Sequence, residues 1–320
     1  MKVDDLSCLM IVVIIFIFLL PTQSFEEDRK LTAEEWFKKA NALYDGRKYT
    51  DPKKAIEYLN NAIKLKPNYA FAYNNRGNAY NDLGQYQRAI EDCNKAIQLK
   101  LNNGDAYNNR GTAYCGIGQY QRAIADYNEA IRLKPDDDFA YNNRGNAYRK
   151  IGKYQHAIKD CNEAIRLNPN YAAVFISRGN VYFDIGKYNL AIEDFNKAIQ
   201  LEPNNADAYY NRGNADSKLG QYQRAIADYN EAIRLKPDDA GAYFSRGVTY
   251  GRDLNQHQRS IDDFNQAIRL KPNYTDAYNN RGLVYYLQGK KNLACHDAQK
   301  ACELGDCKFL EMVKSKGICR

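Results

Sequence analysis

The sequence predicts an all-α fold, a solenoid of stacked helical hairpins. Three observations carry that prediction. The phrase Arg-Gly-Asn-Ala-Tyr and its variants recur at Arg76, Arg110, Arg144, Arg178, Arg212, Arg246 and Arg281, spaced by 34 residues five times and then by 35. A second phrase, Ala-Ile-x-Asp, keeps step at Ala89, Ala123, Ala157, Ala191 and Ala225, then Ser260 and Ala294. Pro67, Pro135, Pro169, Pro203, Pro237 and Pro272 close most of the units so defined. A fixed period of this length marks an array whose units cannot bury their apolar faces alone and therefore stack into one continuous core.

The elements follow in chain order. Cys8 to Leu20 is an apolar run of thirteen residues followed by Pro21-Thr22-Gln23-Ser24. It fits a secretory h-region and falls short of the roughly twenty residues that span a bilayer. Thr22 and Ser24 are small residues placed like those before a cleavage site, whereas Asp4 and Asp5 offset Lys2 and weaken the basic flank. Residues 1–24 are read as a signal peptide or an uncleaved membrane anchor, and 25–32 as a linker. The protein is accordingly expected to be exported, secreted or periplasmic, or anchored by that segment.

Eight units then fit: 33–69, 70–103, 104–137, 138–171, 172–205, 206–239, 240–274 and 275–308. In each regular unit Gly77 or its equivalent removes a side chain where two helices must approach closely, and Ala89 and Ala96 do the same on one stripe of the second helix. Gly84 and its equivalents supply a turn that needs positive φ, and the prolines stop the second helix. Unit one carries Thr50-Asp51-Pro52 as an insertion in its turn. Unit seven has one extra residue near Gly251-Arg252, with Asn255 where the turn glycine should stand. Residues 307–317 read as one amphipathic helix, buried through Phe309, Leu310 and Val313. It makes 309–320 a capping helix and tail over the last exposed face.

The hallmarks Tyr73, Gly77, Tyr80, Gly84, Tyr86, Ala89 and Ala96 make residues 33 to about 306 closely resemble the tetratricopeptide repeat family. The resemblance implies a right-handed superhelix whose first helices line an inner groove, facing it with pattern positions two, five, six, nine and twelve. It also implies a non-enzymatic scaffold or adaptor that binds an extended peptide or partner protein, with no cofactor. The alternative is a structural, self-assembling component of a secreted or membrane-associated complex.

One position departs from the family. Its seventh residue is usually aliphatic, yet here it is arginine in all seven regular units. The same units carry Asp92, Asp126, Asp160, Asp194, Asp228, Asp263 and Asp297 in the second helix, while unit one has Lys39 and Tyr58 at these places. Because both partners change together, a charge-assisted Arg–Asp bond is expected, Arg144 with Asp160 for example, with a structural role favoured over a row of ligand-binding arginines.

The candidate binding residues are asparagines. Position six reads Asn75, Asn109, Asn143, Ser177, Asn211, Ser245 and Asn280; position five adds Asn74, Asn108, Asn142 and Asn279; position nine adds Asn78, Asn146, Asn180 and Asn214. Asparagine is a mediocre helix former, so its repetition within a helix asks for a reason. A row of amides offers donors and acceptors that could clamp the backbone of an extended peptide. It is similar to the asparagine row in the groove of O-linked N-acetylglucosamine transferases, which share this repeat. The alternative is polar surface copied by duplication, since QYQRAIADYNEAIRLKPDD occurs in both units three and six. Toward the C-terminus the groove positions turn apolar, with Ile176, Phe183, Tyr210, Phe244, Val248, Leu283 and Tyr286, suiting either a hydrophobic anchor or packing between units. The lysine that grips a terminal carboxylate in chaperone-binding members is replaced by Asn74, Asn108 or Asn142, which disfavours chaperone tails.

Other function classes find little support. Mean hydropathy is −0.70, and the 46 basic and 39 acidic residues are interspersed, so neither a lipid-embedded body nor a concentrated nucleic-acid stripe is expected. No nucleophile elbow, phosphate loop or zinc-protease motif is present. Cys93 and Cys161 read as packing residues, and Cys295, Cys302, Cys307 and Cys319 as the staple of the cap. Cys307–Cys319 or Cys302–Cys319 is the expected pairing, and a metal site with His296 is disfavoured because paired C-x-x-C spacing is missing.

Overall fold

The computed structural model describes residues 31–100, 102–253 and 255–319; residues 1–24, read above as a signal peptide or membrane anchor, lie outside them. Among the described residues the chain forms eight antiparallel helix pairs and one terminal helix. The pairs are α1 (Ala33–Asn41) with α2 (Pro52–Leu65), α3 (Ala70–Asp82) with α4 (Tyr86–Leu99), and α5 (Gly104–Gly116) with α6 (Tyr120–Leu133). They continue as α7 (Asp138–Lys150) with α8 (Tyr154–Leu167), α9 (Ala172–Asp184) with α10 (Tyr188–Leu201), and α11 (Ala206–Lys218) with α12 (Tyr222–Leu235). The last are α13 (Ala240–Val248) with α14 (His257–Leu270), α15 (Thr275–Leu287) with α16 (Lys291–Glu303), and the cap α17 (Lys308–Ser315). None of these helices is long and apolar enough to cross a membrane. The result is an all-α solenoid.

Local chemistry sets each boundary. Asn103, Asp137, Asn205 and Asp239 cap the first helices by accepting backbone N–H bonds. Thr32 and Glu35 form a reciprocal capping box on α1. Gly118 links α5 to α6 with φ +75°. In unit seven Asn255 takes this role at φ +54°, and the extra residue is absorbed as a π-turn over Thr249–Asp253.

Small residues let the helices meet. Ala89, Ala96, Ala123 and Ala130 are fully buried. A Cβ on Gly111 would lie 2.7 Å from the Tyr127 ring, whereas one on Gly145 would lie 3.3 Å from Cys161 Sγ. The room left at this position therefore differs from unit to unit.

The arginine at position seven is the most regular polar feature of the core. Arg144 Nε and Nη2 donate to Asp160 Oδ2 and Oδ1 at 2.8 and 2.7 Å, joining α7 to α8 within one unit. Its Nη1 donates to Asn128 Oδ1 at 2.8 Å on α6 of the preceding unit. The same three bonds recur from Arg76 to Asp92 and Asn60, and so on to Arg281 with Asp297 and Asn265. Each guanidinium also lies over an aromatic ring three residues earlier, Tyr141 at 5.4 Å in the case of Arg144. The aspartates are nearly enclosed, Asp160 retaining 4% of its exposure. Burial dominates at Asp92, Asp194 and Asp263 and lifts their carboxyls above the usual range although an arginine sits on each. The arrangement therefore specifies geometry more than it adds net stability.

The cap corrects the expected disulfide. Cys307 and Cys319 are not partners; Cys319 joins Cys295, with Cα atoms 5.6 Å apart, and Cys302 joins Cys307. After α17 the chain reverses at Gly317, φ +67°, and Ile318 and Cys319 fold back over α16 onto Ala298 and Val313. Cys307 stands before α17, across the Gly305 turn from Cys302. Spacing alone did not reveal this reversal.

Two measurements test the packing. Gly111→Ala is expected to cost about 1–3 kcal/mol through overpacking against Tyr127, and Gly145→Ala clearly less, in urea unfolding monitored by circular dichroism. Asp160→Ala, which strands a half-buried guanidinium, is expected to cost toward the lower end of about 3–5 kcal/mol. Replacing Arg144 and Asp160 together by leucine is expected to cost less than that single change; a strictly additive double-mutant cycle would remove the pair from the account.

Candidate functional site

The first helices make the floor of the groove. Successive ones pack directly on each other, α3 on α5, α5 on α7, α7 on α9 and α9 on α11. Between them and the turn of unit one lies a cavity of about 640 Å³. Its lining includes Asn78, Asn81, Asn108, Asn109, Asn143 and Thr112 from the floor, with Tyr44, Tyr86, Phe139 and Tyr171 as aromatic walls.

The asparagines are wired to one another. Asn109 Nδ2 donates to Asn74 Oδ1 at 3.0 Å, Asn74 to Asn75 at 3.1 Å, and Asn75 to Asn41 at 2.7 Å, a relay across three units. Asn143 donates to Asn108 at 3.2 Å, and Asn146 to Ser177 at 3.1 Å. Each amide has two donors and two acceptor lone pairs, so the groove-side amides keep capacity after these bonds. Position five requires a correction: Asn74 and Asn142 keep only 6% and 5% of their exposure, and lie between units rather than on the groove surface. Asn74 there satisfies Asn109, the next unit's position six, and Asn108 does the same for Asn143. Asn108 is half-buried and still reaches the cavity.

The row does not continue evenly. Asn280 donates back to its own helix at Asp276 O, and Asn214 accepts from the Tyr229 hydroxyl at 2.9 Å. Asn180 and Asn211 are half-buried and line no part of the cavity described above. The apolar positions are drawn into packing within and between units: Ile176 joins the cluster of Phe175 and Ala198 with Ala208 of the next unit, and Phe244 meets Phe264 and Tyr274 of its own unit with ring centroids 5.8 and 5.0 Å away. Tyr210 meets Ser245 through its hydroxyl at 3.3 Å. Leu283 remains exposed.

Several lining residues escaped the sequence. Unit one spends its insertion on a rigid turn: Tyr44 and Tyr49 form a bridge, and Asp45 Oδ1 accepts from the backbone of Arg47 and Lys48 at 2.8 Å each. Tyr49 N–H donates to Asp82 at 2.8 Å, holding the turn over the groove. From its tip Arg47 reaches Glu202 at 2.7 Å, beyond α10. The insertion was legible, but its direction was not. Burial raises the carboxyls of Asp82 and Asp137 above the usual range, and pushes the Tyr171 phenol up to about 12. Burial acts to raise Glu202 as well, but the bonds from Arg47 and Asn205 outweigh it and hold this carboxyl low.

No cluster of metal-ligating groups is found among the described residues. Cys93 and Cys161 are buried and burial raises both thiols far above their ordinary range, so neither is a nucleophile in this setting.

The comparisons agree with this architecture. Matches described as tetratricopeptide repeat cover residues 70–103, 139–171 and 275–304, and matches described as TPR repeat cover 111–152, 179–220, 213–253 and 252–289. Among solved structures the chain is similar to the APC/C hetero-tetramer Cut9–Hcn1, at 16% identity and TM-score 0.69. That match covers 88% of this chain and 55% of the other, so the chain spans about half of that relative's length. It is also similar to a tetratricopeptide repeat protein from Parabacteroides merdae ATCC 43184, at 22% identity and TM-score 0.58 over 77% of this chain and 97% of that one. A further similarity is to MamA, at 31% identity and TM-score 0.47 over 54% and 96% of the respective chains. No curated protein matches the chain. The 34-residue period, the paired helices and the family-model matches over more than half of the chain lead to one conclusion: the chain belongs to the tetratricopeptide repeat family.

Proposed function

We propose that this protein is a non-enzymatic scaffold that holds an extended segment of a partner protein in the N-terminal half of its concave groove. The observation that carries this reading is the cavity between the unit-one turn and the first helices, whose floor is lined by half-used amides of Asn78, Asn108, Asn109 and Asn143. An extended backbone presents an N–H and a C=O at each residue, which is the complement of a row of amides. The apolar positions Ile176, Tyr210 and Phe244 contribute instead to the rigidity of the C-terminal half, since their rings and chains are packed against the second helices of their own units and, for Ile176, against Ala208 of the next. Rigidity in turn limits the ordering cost of binding.

We place this function outside the cytosol, in a secreted or periplasmic setting or at a membrane surface. The cleavable or anchoring character of residues 1–24 supports that placement, as does the pairing of all four C-terminal cysteines.

The test begins with crosslinking capture of the partner from the compartment in which the protein resides, followed by titration calorimetry with the captured segment. Asn143→Ala is expected to weaken that binding roughly tenfold, the loss of one to two net hydrogen bonds, while lowering stability by about 0.5–1.5 kcal/mol. Asn180→Ala is expected to leave binding unchanged. Equal effects of the two substitutions would move the contact out of the N-terminal half.

A further inference from the structure

Two irregularities of a near-identical array meet in space. The first is the lengthened connection of unit one, which carries Arg47 at the tip of its turn. The second is Glu202, at the place where the other units have Lys66, Lys100, Lys134, Lys236 and Lys271, or Asn168. Their side chains pair at 2.7 Å, and the Arg47 guanidinium also stands over the Tyr171 ring at 6.0 Å. This contact bridges the groove from unit one to the segments that end units four and five.

The two sides of the contact are not equally fixed. Tyr171 packs on Phe139 with ring centroids 4.9 Å apart, and Glu202 accepts a second bond from Asn205 at 3.0 Å. The Arg47 side chain, by contrast, is 56% exposed at a loop tip. A partly exposed ion pair of this kind is held weakly, so the arginine is the exchangeable member and the ring with its carboxylate the standing one. The charge of the adjoining cavity points the same way. Its lining holds Asp82 and Asp137 against Arg47 alone among the described residues, and Arg47 is already paired with Glu202.

We propose that Tyr171 and Glu202 form a seat for a cationic side chain at the rim of the groove, and that an arginine or lysine of a bound peptide takes the place that Arg47 holds in the structure. The seat rests on the groove-binding reading and adds to it the class of residue the peptide must carry. The unit-one turn then serves as a strap whose own arginine competes with the ligand. An aromatic face beside a carboxylate suits a guanidinium, which stacks and bonds at once.

A random dodecapeptide library displayed on phage tests this with the full-length chain immobilised as wild type, Arg47→Ala, Glu202→Lys and Glu202→Gln. Circular dichroism melts verify that each variant is folded. The wild type is expected to enrich peptides with a basic residue at a fixed place, and Arg47→Ala to bind those peptides roughly fivefold to tenfold more tightly, the effect of an ion pair plus a ring contact at a partly exposed site. Both Glu202 variants are expected to lose the basic preference. Synthetic versions of a selected peptide with arginine, lysine or glutamine at that place separate guanidinium from ammonium and from mere length. Enrichment without a basic residue, or with one that is indifferent to Glu202, would overturn the seat and leave groove binding standing. Failure of every form to enrich any peptide would overturn groove binding, and the seat with it.

Discussion

The structure depends on one repeated bond set, in which an arginine ties its own unit together and then ties that unit to the one before it. Arg110 illustrates the logic: two donors go to Asp126 within the unit, and a third goes to Asn94 behind it. Because a guanidinium presents its donors in a fixed planar fork, the three bonds set the angle between neighbouring helices as well as their distance. Repeated along the array, that constraint keeps the first helices close enough to share a floor. The alanines and Gly111-type glycines permit the approach, but the polar staple selects one registration among the many that smooth apolar stripes would allow.

The staple has a direction, and the ends of the array show it. Unit one lacks both arginine and aspartate, having Lys39 and Tyr58 instead, yet it retains Asn60. That asparagine serves Arg76 of the following unit, while Lys39 settles over the Trp36 and Tyr58 rings. Unit eight has Asp297 for its own Arg281 but Gln299 where an asparagine would serve a ninth arginine. Each end keeps only the half of the set that has a partner. The C-terminal face is then closed differently, by α17 with Val313 fully buried and the chain locked by Cys295–Cys319.

The groove takes its character from the same packing. First helices held this closely bury Asn74 and Asn142 at position five, and Asn74 becomes an internal partner of Asn109 in the next unit. The polar surface that remains lies at positions six and nine, under the strap of unit one. Uniform repeats would yield a uniform groove; the two departures at Arg47 and Glu202 are what make one half of it distinct.

By itself the sequence determined the period, the helix pairs, the turn glycines and their stand-in Asn255, and the covariation of arginine with aspartate. These are local or strictly repeated features, written in spacing and in the φ demands of single residues. The third member of the staple was also written there, as the asparagine two residues after six of the seven aspartates, but its partner lies in another unit and no spacing within one unit points to it. Tertiary structure alone decided which asparagines face outward, how the cap reverses to pair Cys295 with Cys319, and where the unit-one turn lands. The first and third depend on how the stacked units sit on one another, which the packing of their interfaces sets, and the second on a chain reversal at Gly317 that brings Cys319 back over α16.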